Sequence, residues 1–203
     1  MILTAIAGLI LGAGAMHGEP LVCPVMGGAL GKDYHKGEFS DYNGVRYWYC
    51  CPGCKGTFEK DPAKFAAKAS KGKAAGVFLF DPVTGKRLPH DKAIQDYADY
   101  NGVRFLFESD ETQATFEKDP KKYGTLPTKE ALYCSPGKEV VPSYGFSSGF
   151  VDHKGVRYYM CCAGCEKPWA KEPEKHAEAS KAHVKAPGIA TEKPKPPKND
   201  GGG

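Results

Sequence analysis

Phe39 to Tyr42 and Val45 to Tyr49 are two short runs rich in apolar and aromatic residues, separated by Asn43-Gly44. Both positions of a type I′ turn need positive φ, and Asn-Gly supplies them, so the pattern predicts a hairpin of two short strands. The second strand ends at Cys50-Cys51-Pro52-Gly53-Cys54, where Pro52 is placed to open a helix. Asp61-Pro62 then offers an N-cap and an N1 proline for further helix, ending in the Ala/Lys-rich stretch 63–71, with Phe58 and Phe65 facing the hairpin.

This unit recurs. Asp41 to Arg46 returns letter for letter as Asp99 to Arg104, and Thr57 to Pro62 as Thr115 to Pro120, both at a shift of 58. In a third copy Gly155-Val156-Arg157-Tyr158 answers Gly44 to Tyr47, and Trp169 and Pro173 answer Phe58 and Pro62, at a shift of 111. The fold expected is α+β, with three tandem ββα units over residues 21–72, 77–126 and 131–180. Pro168 predicts a shorter or later helix in the third copy. The Arg46, Arg104 and Arg157 series is expected to pair with a carboxylate inside each unit. The aromatic runs Tyr47 to Tyr49 and Tyr158-Tyr159 read as hairpin core.

The ends read differently. Residues 1–15 form an apolar run too short to span a bilayer. Ala13-Gly14-Ala15 fits a small-x-small cleavage pattern, so residues 1–20 read as a signal peptide and the chain as exported, periplasmic or extracellular. A buried N-terminal helix is the competing reading. Residues 181–203 form a Lys/Pro/Gly tail, expected to be disordered from Ala186 onward.

The 203 residues carry a net charge of only +4, and the tail segment Lys181 to Asp200 accounts for +3 of it. That argues against a nucleic-acid partner, and 41% apolar residues exclude wholesale disorder. The eight cysteines, in contrast, are placed with regularity. Cys23, Cys50, Cys51 and Cys54 are answered by Cys134, Cys161, Cys162 and Cys165 at the same shift of 111, each set a leading Cys, 26 residues, then Cys-Cys-x2-Cys. A strand-to-helix junction holds thiolates within one turn and aims helix amides at them, and such soft donors suit Zn(II), Cu(I) or another thiophilic ion, about one per set. The middle unit has Asp81, Glu108, Ser109 and Thr112 at those places. Four sulfurs missing together is what ligands of one ion would show; the middle unit is expected to be structural, its substitutes solvated polar residues.

Units one and three resemble the YHS and TRASH domains, small treble-clef-like modules associated with heavy-metal trafficking, resistance and sensing. The resemblance is carried by Cys23-Pro24-Val25, Gly44 to Cys54, Phe58 and Asp61-Pro62, and by Cys134, Gly155 to Tyr159 and Cys161 to Cys165; the middle unit looks like a cysteine-free copy. It implies that Cys23, Cys50 and Cys54, and Cys134, Cys161 and Cys165, form leading-Cys plus C-x3-C ligand sets. The fourth ligand and the parts played by Cys51 and Cys162 stay open. Met26 would favour Cu(I), with Gly137 in its place in unit three, and His35, His153 and His176 are further candidates.

Competing uses of the sulfurs are structural disulfides, which an exported chain permits, thiol redox chemistry at Cys51-Pro52-Gly53-Cys54, and an Fe–S cluster. Adjacent cysteines beside a third within one turn suit a metal better than long-range bridges. No catalytic triad, phosphate loop or paired-carboxylate site is present, so no enzymatic activity is expected. The expected partners are the metal ion and a metal-exchange protein, with a structural-zinc scaffold binding a protein as the rival.

Overall fold

A computed structural model describes residues 19–69, 71–89 and 97–191. The signal-peptide reading falls on residues 1–18, outside the described residues.

The first module holds β1 (Phe39–Tyr42), β2 (Val45–Trp48), α1 (Pro52–Lys60) and α2 (Pro62–Ala69). The second holds β3 (Gly76–Phe78), β4 (Tyr97–Tyr100), β5 (Val103–Leu106), α3 (Asp110–Lys118) and α4 (Pro120–Gly124). The third holds β6 (Glu130–Ala131), β7 (Tyr133–Cys134), β8 (Glu139–Val140), β9 (Gly149–His153), β10 (Val156–Met160), α5 (Glu166–Lys171) and α6 (Pro173–Ala179). The chain is α+β, with the hairpin-then-helices order in all three copies.

The hairpin turns follow from local stereochemistry. Asn43 and Gly44 sit at φ 52° and 74°, Asn101 and Gly102 at 48° and 74°, and Lys154 and Gly155 at 49° and 77°. That is the left-handed pair a two-residue turn requires. Immediately beyond each turn a cross-strand Arg–Asp pair closes the ladder. Arg46 donates to Asp41 at 2.8 and 2.9 Å, Arg104 to Asp99 at 2.9 Å twice, and Arg157 to Asp152 at 2.8 Å twice. Each guanidinium also lies 3.8–3.9 Å over the ring of Phe39, Tyr97 or Phe150. A planar cation held in a bidentate fork and seated on a ring is fixed in position, a geometry lysine could not reproduce. In the third module a short 3-10 turn over Ala163–Cys165 precedes α5, so Pro168 falls in the first turn of the helix, where its missing N–H costs nothing.

The modules are fused rather than strung. The leading strand of the second, β3, pairs antiparallel with β2 of the first and parallel with β5 of its own hairpin, giving one five-stranded sheet in the order β1-β2-β3-β5-β4. β6 repeats the parallel pairing against β10 in the sheet β6-β10-β9. Val45, Tyr47 and Phe58 of the first module, Phe78, Phe80, Phe105 and Phe116 of the second, and Tyr144, Phe150 and Tyr159 of the third meet in one apolar cluster. The aromatic runs are core, as their alternation suggested.

The start of the tail is a correction. It was expected to be disordered from Ala186 onward, yet residues 186–191 lie across the first and third modules; residues 192–203 lie outside the described residues. Ala190 N–H donates to the Asp41 carbonyl and accepts from Tyr144 N–H through its own carbonyl, and Asp41 N–H donates to Thr191 Oγ1 at 2.7 Å. Tyr144 shares its hydroxyl proton between Glu130 Oε1 at 2.6 Å and the Gly188 carbonyl at 2.9 Å. Hydrogen bonding to buried partners, Asp41 and Tyr144, anchors a segment whose side chains bury little.

Candidate metal centres

Each cysteine-bearing module brings the leading strand, the end of the hairpin and the first helical turn to one point. Cys23 lies beyond the first leading segment, Cys50 just past β2, and Cys54 at the third residue of α1. Their sulfurs lie within 4.8 Å of one another, as do those of Cys134, Cys161 and Cys165. A tetrahedral thiolate centre with arms of about 2.3 Å sets its sulfurs about 3.8 Å apart. Cys50 and Cys54 are 3.9 Å apart and Cys161 and Cys165 3.6 Å. The two clusters can hold a metal ion, and all eight thiols are free.

Cys51 and Cys162 lie outside the mutual 4.8 Å groups but touch them. Cys51 is the N-cap of α1 and its sulfur lies 3.0 Å from that of Cys54; the Cys162 sulfur lies 3.2 Å from that of Cys165. The same two positions in the second module are Ser109 and Thr112, which form a reciprocal capping box. Cys51 and Cys162 therefore occupy the N-cap place, each with its sulfur against the trio cysteine three residues on. The histidines are not brought in either. His176 pairs its Nδ1 with Ser135 Oγ at 3.0 Å and stacks on Trp169, while His153 faces Glu174 at 3.2 Å. Among the described residues only cysteines form the metal-competent groups. Met26 is 69% exposed, and what it aims at Cys23 is its backbone N–H.

The electrostatics of the trios are lopsided. Burial pushes the Cys23 thiol up, but the amides of Met26, Cys50 and Val25 around its sulfur outweigh that and leave it below the ordinary thiol value. The Cys23 thiol beside Cys50 pushes that group up, and the Cys51 thiol raises Cys54. In the third module burial, then the Glu139 carboxyl, raises Cys161, and burial, then Cys162, pushes Cys165 up to about 12. The Cys54 and Cys165 thiols in contact with Cys51 and Cys162 hold the latter pair low. Two thiolates 4 Å apart repel by about 4 kcal/mol at an effective dielectric near 20. Three ionised sulfurs thus coexist at these points only around a cation.

One residue in the third module shows how closely the backbone is drawn in. A Cβ on Gly137 would stand 2.6 Å from Cys161 Sγ and 3.4 Å from Cys134 Sγ. Only glycine leaves that space to the sulfurs.

Comparison with protein-family models, with curated proteins and with solved structures finds no match in any of the three. The duplicated site must therefore be interpreted from its own internal repeat.

That repeat contains a cysteine-free version, and it corrects the expectation of solvated side chains at two of the four places, Asp81 and Thr112, while Glu108 and Ser109 are exposed. Asp81, in the place of Cys23, is fully buried. Its Oδ1 accepts from Val83 N–H at 2.8 Å and Thr84 N–H at 2.9 Å, and its Oδ2 from Glu108 N–H at 2.9 Å. These three amides are the counterparts of those of Val25, Met26 and Cys50 around Cys23. Thr112 is buried too, in the capping box, and Glu108 pairs with Lys86 at 3.2 Å. The first two modules therefore keep the same nest of three amides for an anion, whereas the third has Pro136, without an N–H, in the place of Val25 and Val83. The middle one fills it with a carboxylate that ties leading strand, hairpin and helix together unaided. Sequence reasoning located the four substituted positions but missed this role; the shared polarity of Asp81 and a thiolate was the available signal.

Proposed function

We propose that the chain binds two thiophilic metal ions, one held by Cys23, Cys50 and Cys54 and one by Cys134, Cys161 and Cys165, in modules of the YHS/TRASH type, and that it buffers or hands over the ion. The observation carrying this reading is the pairing of two sulfur trios within 4.8 Å with a middle copy in which all three positions carry oxygen groups. The amide nest around Cys23 in the first module is filled in the middle one by a single buried carboxylate, Asp81, where the sulfurs are absent. Where they are present, the extra thiolates call for a cation. Bound there, Zn(II) or Cu(I) would supply charge compensation and a cross-link between strand and helix.

Solvent access favours exchange over a purely structural role. Cys50 is exposed, Cys161 half-buried, and the remaining four trio sulfurs buried. An incoming thiolate can reach the ion through the exposed member, which is the route a metal-exchange protein needs. The core shared by the three modules means that the fold does not depend on the ions alone. A structural-zinc scaffold would behave in the opposite way, since stripping its metal would unfold it. Export, and YHS/TRASH membership with its treble-clef topology, belong to the same reading.

Exchange is tested by adding a chelator to the loaded protein while recording far-UV circular dichroism. Release within minutes and an unchanged spectrum are expected. Loss of helical and strand signal in step with metal loss would favour the scaffold and refute exchange.

A further inference from the structure

The residue opposite the leading position in each module decides what overlooks the end of the hairpin. In the third module Cys134 and Glu139 are direct partners across β7 and β8. Directly opposed residues of an antiparallel pair project on the same face. In the second, Asp81 N–H donates to the Lys86 carbonyl at 2.8 Å, so Lys86 holds the equivalent place. In the first, Cys23 N–H donates to the Gly28 carbonyl, also at 2.8 Å, and Gly28 has no side chain.

Lys86 shows where a side chain from this place reaches. Its ammonium spans to Glu108, the counterpart of Cys50 and Cys161, at 3.2 Å. Glu139 starts from the same place, opposite Cys134, and its carboxyl comes to the side of Gly137 on which Cys161 lies. Its Oε1 is 3.6 Å from the point where a Gly137 Cβ would stand, a point already 2.6 Å from Cys161 Sγ and 3.4 Å from Cys134 Sγ. A carboxylate oxygen and two sulfurs thus surround one spot that glycine keeps clear. Glu139 lies outside the 4.8 Å circle of the sulfur trio, and its side chain is exposed.

We propose that Glu139 is the fourth donor of the second centre, which makes the two centres unequal. The second has three thiolates and a carboxylate; the first, with Gly28 in that place, has three thiolates and an open position. This rests on the metal-binding reading above. A hard oxygen donor and a further negative charge favour a divalent ion such as Zn(II) over Cu(I). The second centre is accordingly the one that retains Zn(II), and the first, softer and open, is the one that exchanges its ion with an incoming thiolate.

The test uses the full chain, anaerobic and reduced, with one centre silenced at a time by Cys50→Ser or Cys161→Ser. Zn(II) affinity is measured by competition with a chromophoric chelator, and ligand type by the visible spectrum of Co(II). With the first centre silenced, Glu139→Ala should weaken Zn(II) about tenfold or more, the scale of losing a tuned metal partner. It should also alter the Co(II) ligand-field bands while leaving Cu(I) affinity nearly unchanged. With the second centre silenced, Gly28→Glu should tighten Zn(II) at the first. Unchanged Zn(II) affinity and Co(II) spectrum in Glu139→Ala, with two ions still bound by the unaltered chain, would overturn the role of Glu139 alone. Absence of any bound ion in the unaltered chain would overturn the metal-binding reading with it.

Discussion

Replacing Asp81 probes how the middle module holds itself together without metal. Its carboxylate accepts three main-chain N–H bonds of 2.8–2.9 Å and is fully buried, so solvent does not screen them. Hydrogen bonds to charged groups contribute about 1.5–3 kcal/mol each, and the three are not independent. Allowing for the desolvation of the carboxylate, Asp81→Ala should cost about 4 kcal/mol, a large share of the stability of an ordinary domain. Asp81→Asn is the finer probe. It keeps an acceptor for Val83 and Thr84 but turns an amide N–H toward the Glu108 N–H, so about 2 kcal/mol is expected. The assay is urea unfolding of the reduced, metal-free chain followed by far-UV circular dichroism. With a slope of about 2 kcal/mol per molar, the midpoint should fall by about 2 M for Ala and about 1 M for Asn. Shifts within about 0.5 kcal/mol for both variants would refute the claim that Asp81 replaces a metal as the tie.

Gly137→Ala places a methyl group 2.6 Å from Cys161 Sγ; it should weaken the second centre and leave the first unchanged, as read by metal titration of each centre separately. Cys50, Cys54, Cys161 and Cys165 are all pushed upward in the metal-free chain and so carry protons at neutral pH. A metal must displace those protons, so affinity should rise with pH and fall as pH drops, by about 100-fold per unit or more for two or more protons. Proton release during titration in weak buffer should reach at least about two per ion, and none would contradict this. Tyr144→Phe removes the donor to Glu130 Oε1 and the Gly188 carbonyl, and should cost about 1.5–3 kcal/mol of stability in urea unfolding.

Local chemistry was legible in the sequence to the extent that it was local. Asn43-Gly44 dictates positive φ by itself, and Pro52 and Pro62 open their helices where the spacing placed them. The two cysteine sets were legible because the repeat carries all four of one onto the other; the trio within each came only as what the resemblance to YHS and TRASH modules implied. What escaped depends on three-dimensional neighbours. Nothing about Gly76 to Phe78 says that it inserts between two hairpins, since that pairing is fixed by β2 and β5 from different modules. Asp81 looked like a surface carboxylate because its partners are backbone amides, which no sequence pattern displays. The contact of Cys51 with Cys54 follows from its N-cap place, and the anchoring of Ala190 depends on Asp41 and Tyr144, far away along the chain. Glu139 was hidden for the same reason: its significance appears only once it is seen opposite Cys134.

The most direct measurement is the metal content of the chain purified anaerobically and reduced, set beside that of Cys50→Ser, Cys161→Ser and the double variant. Two ions for the unaltered protein, one for each single variant and none for the double are expected. An unaltered protein that takes up no Zn(II) or Cu(I) while all eight thiols titrate as free would contradict the central claim.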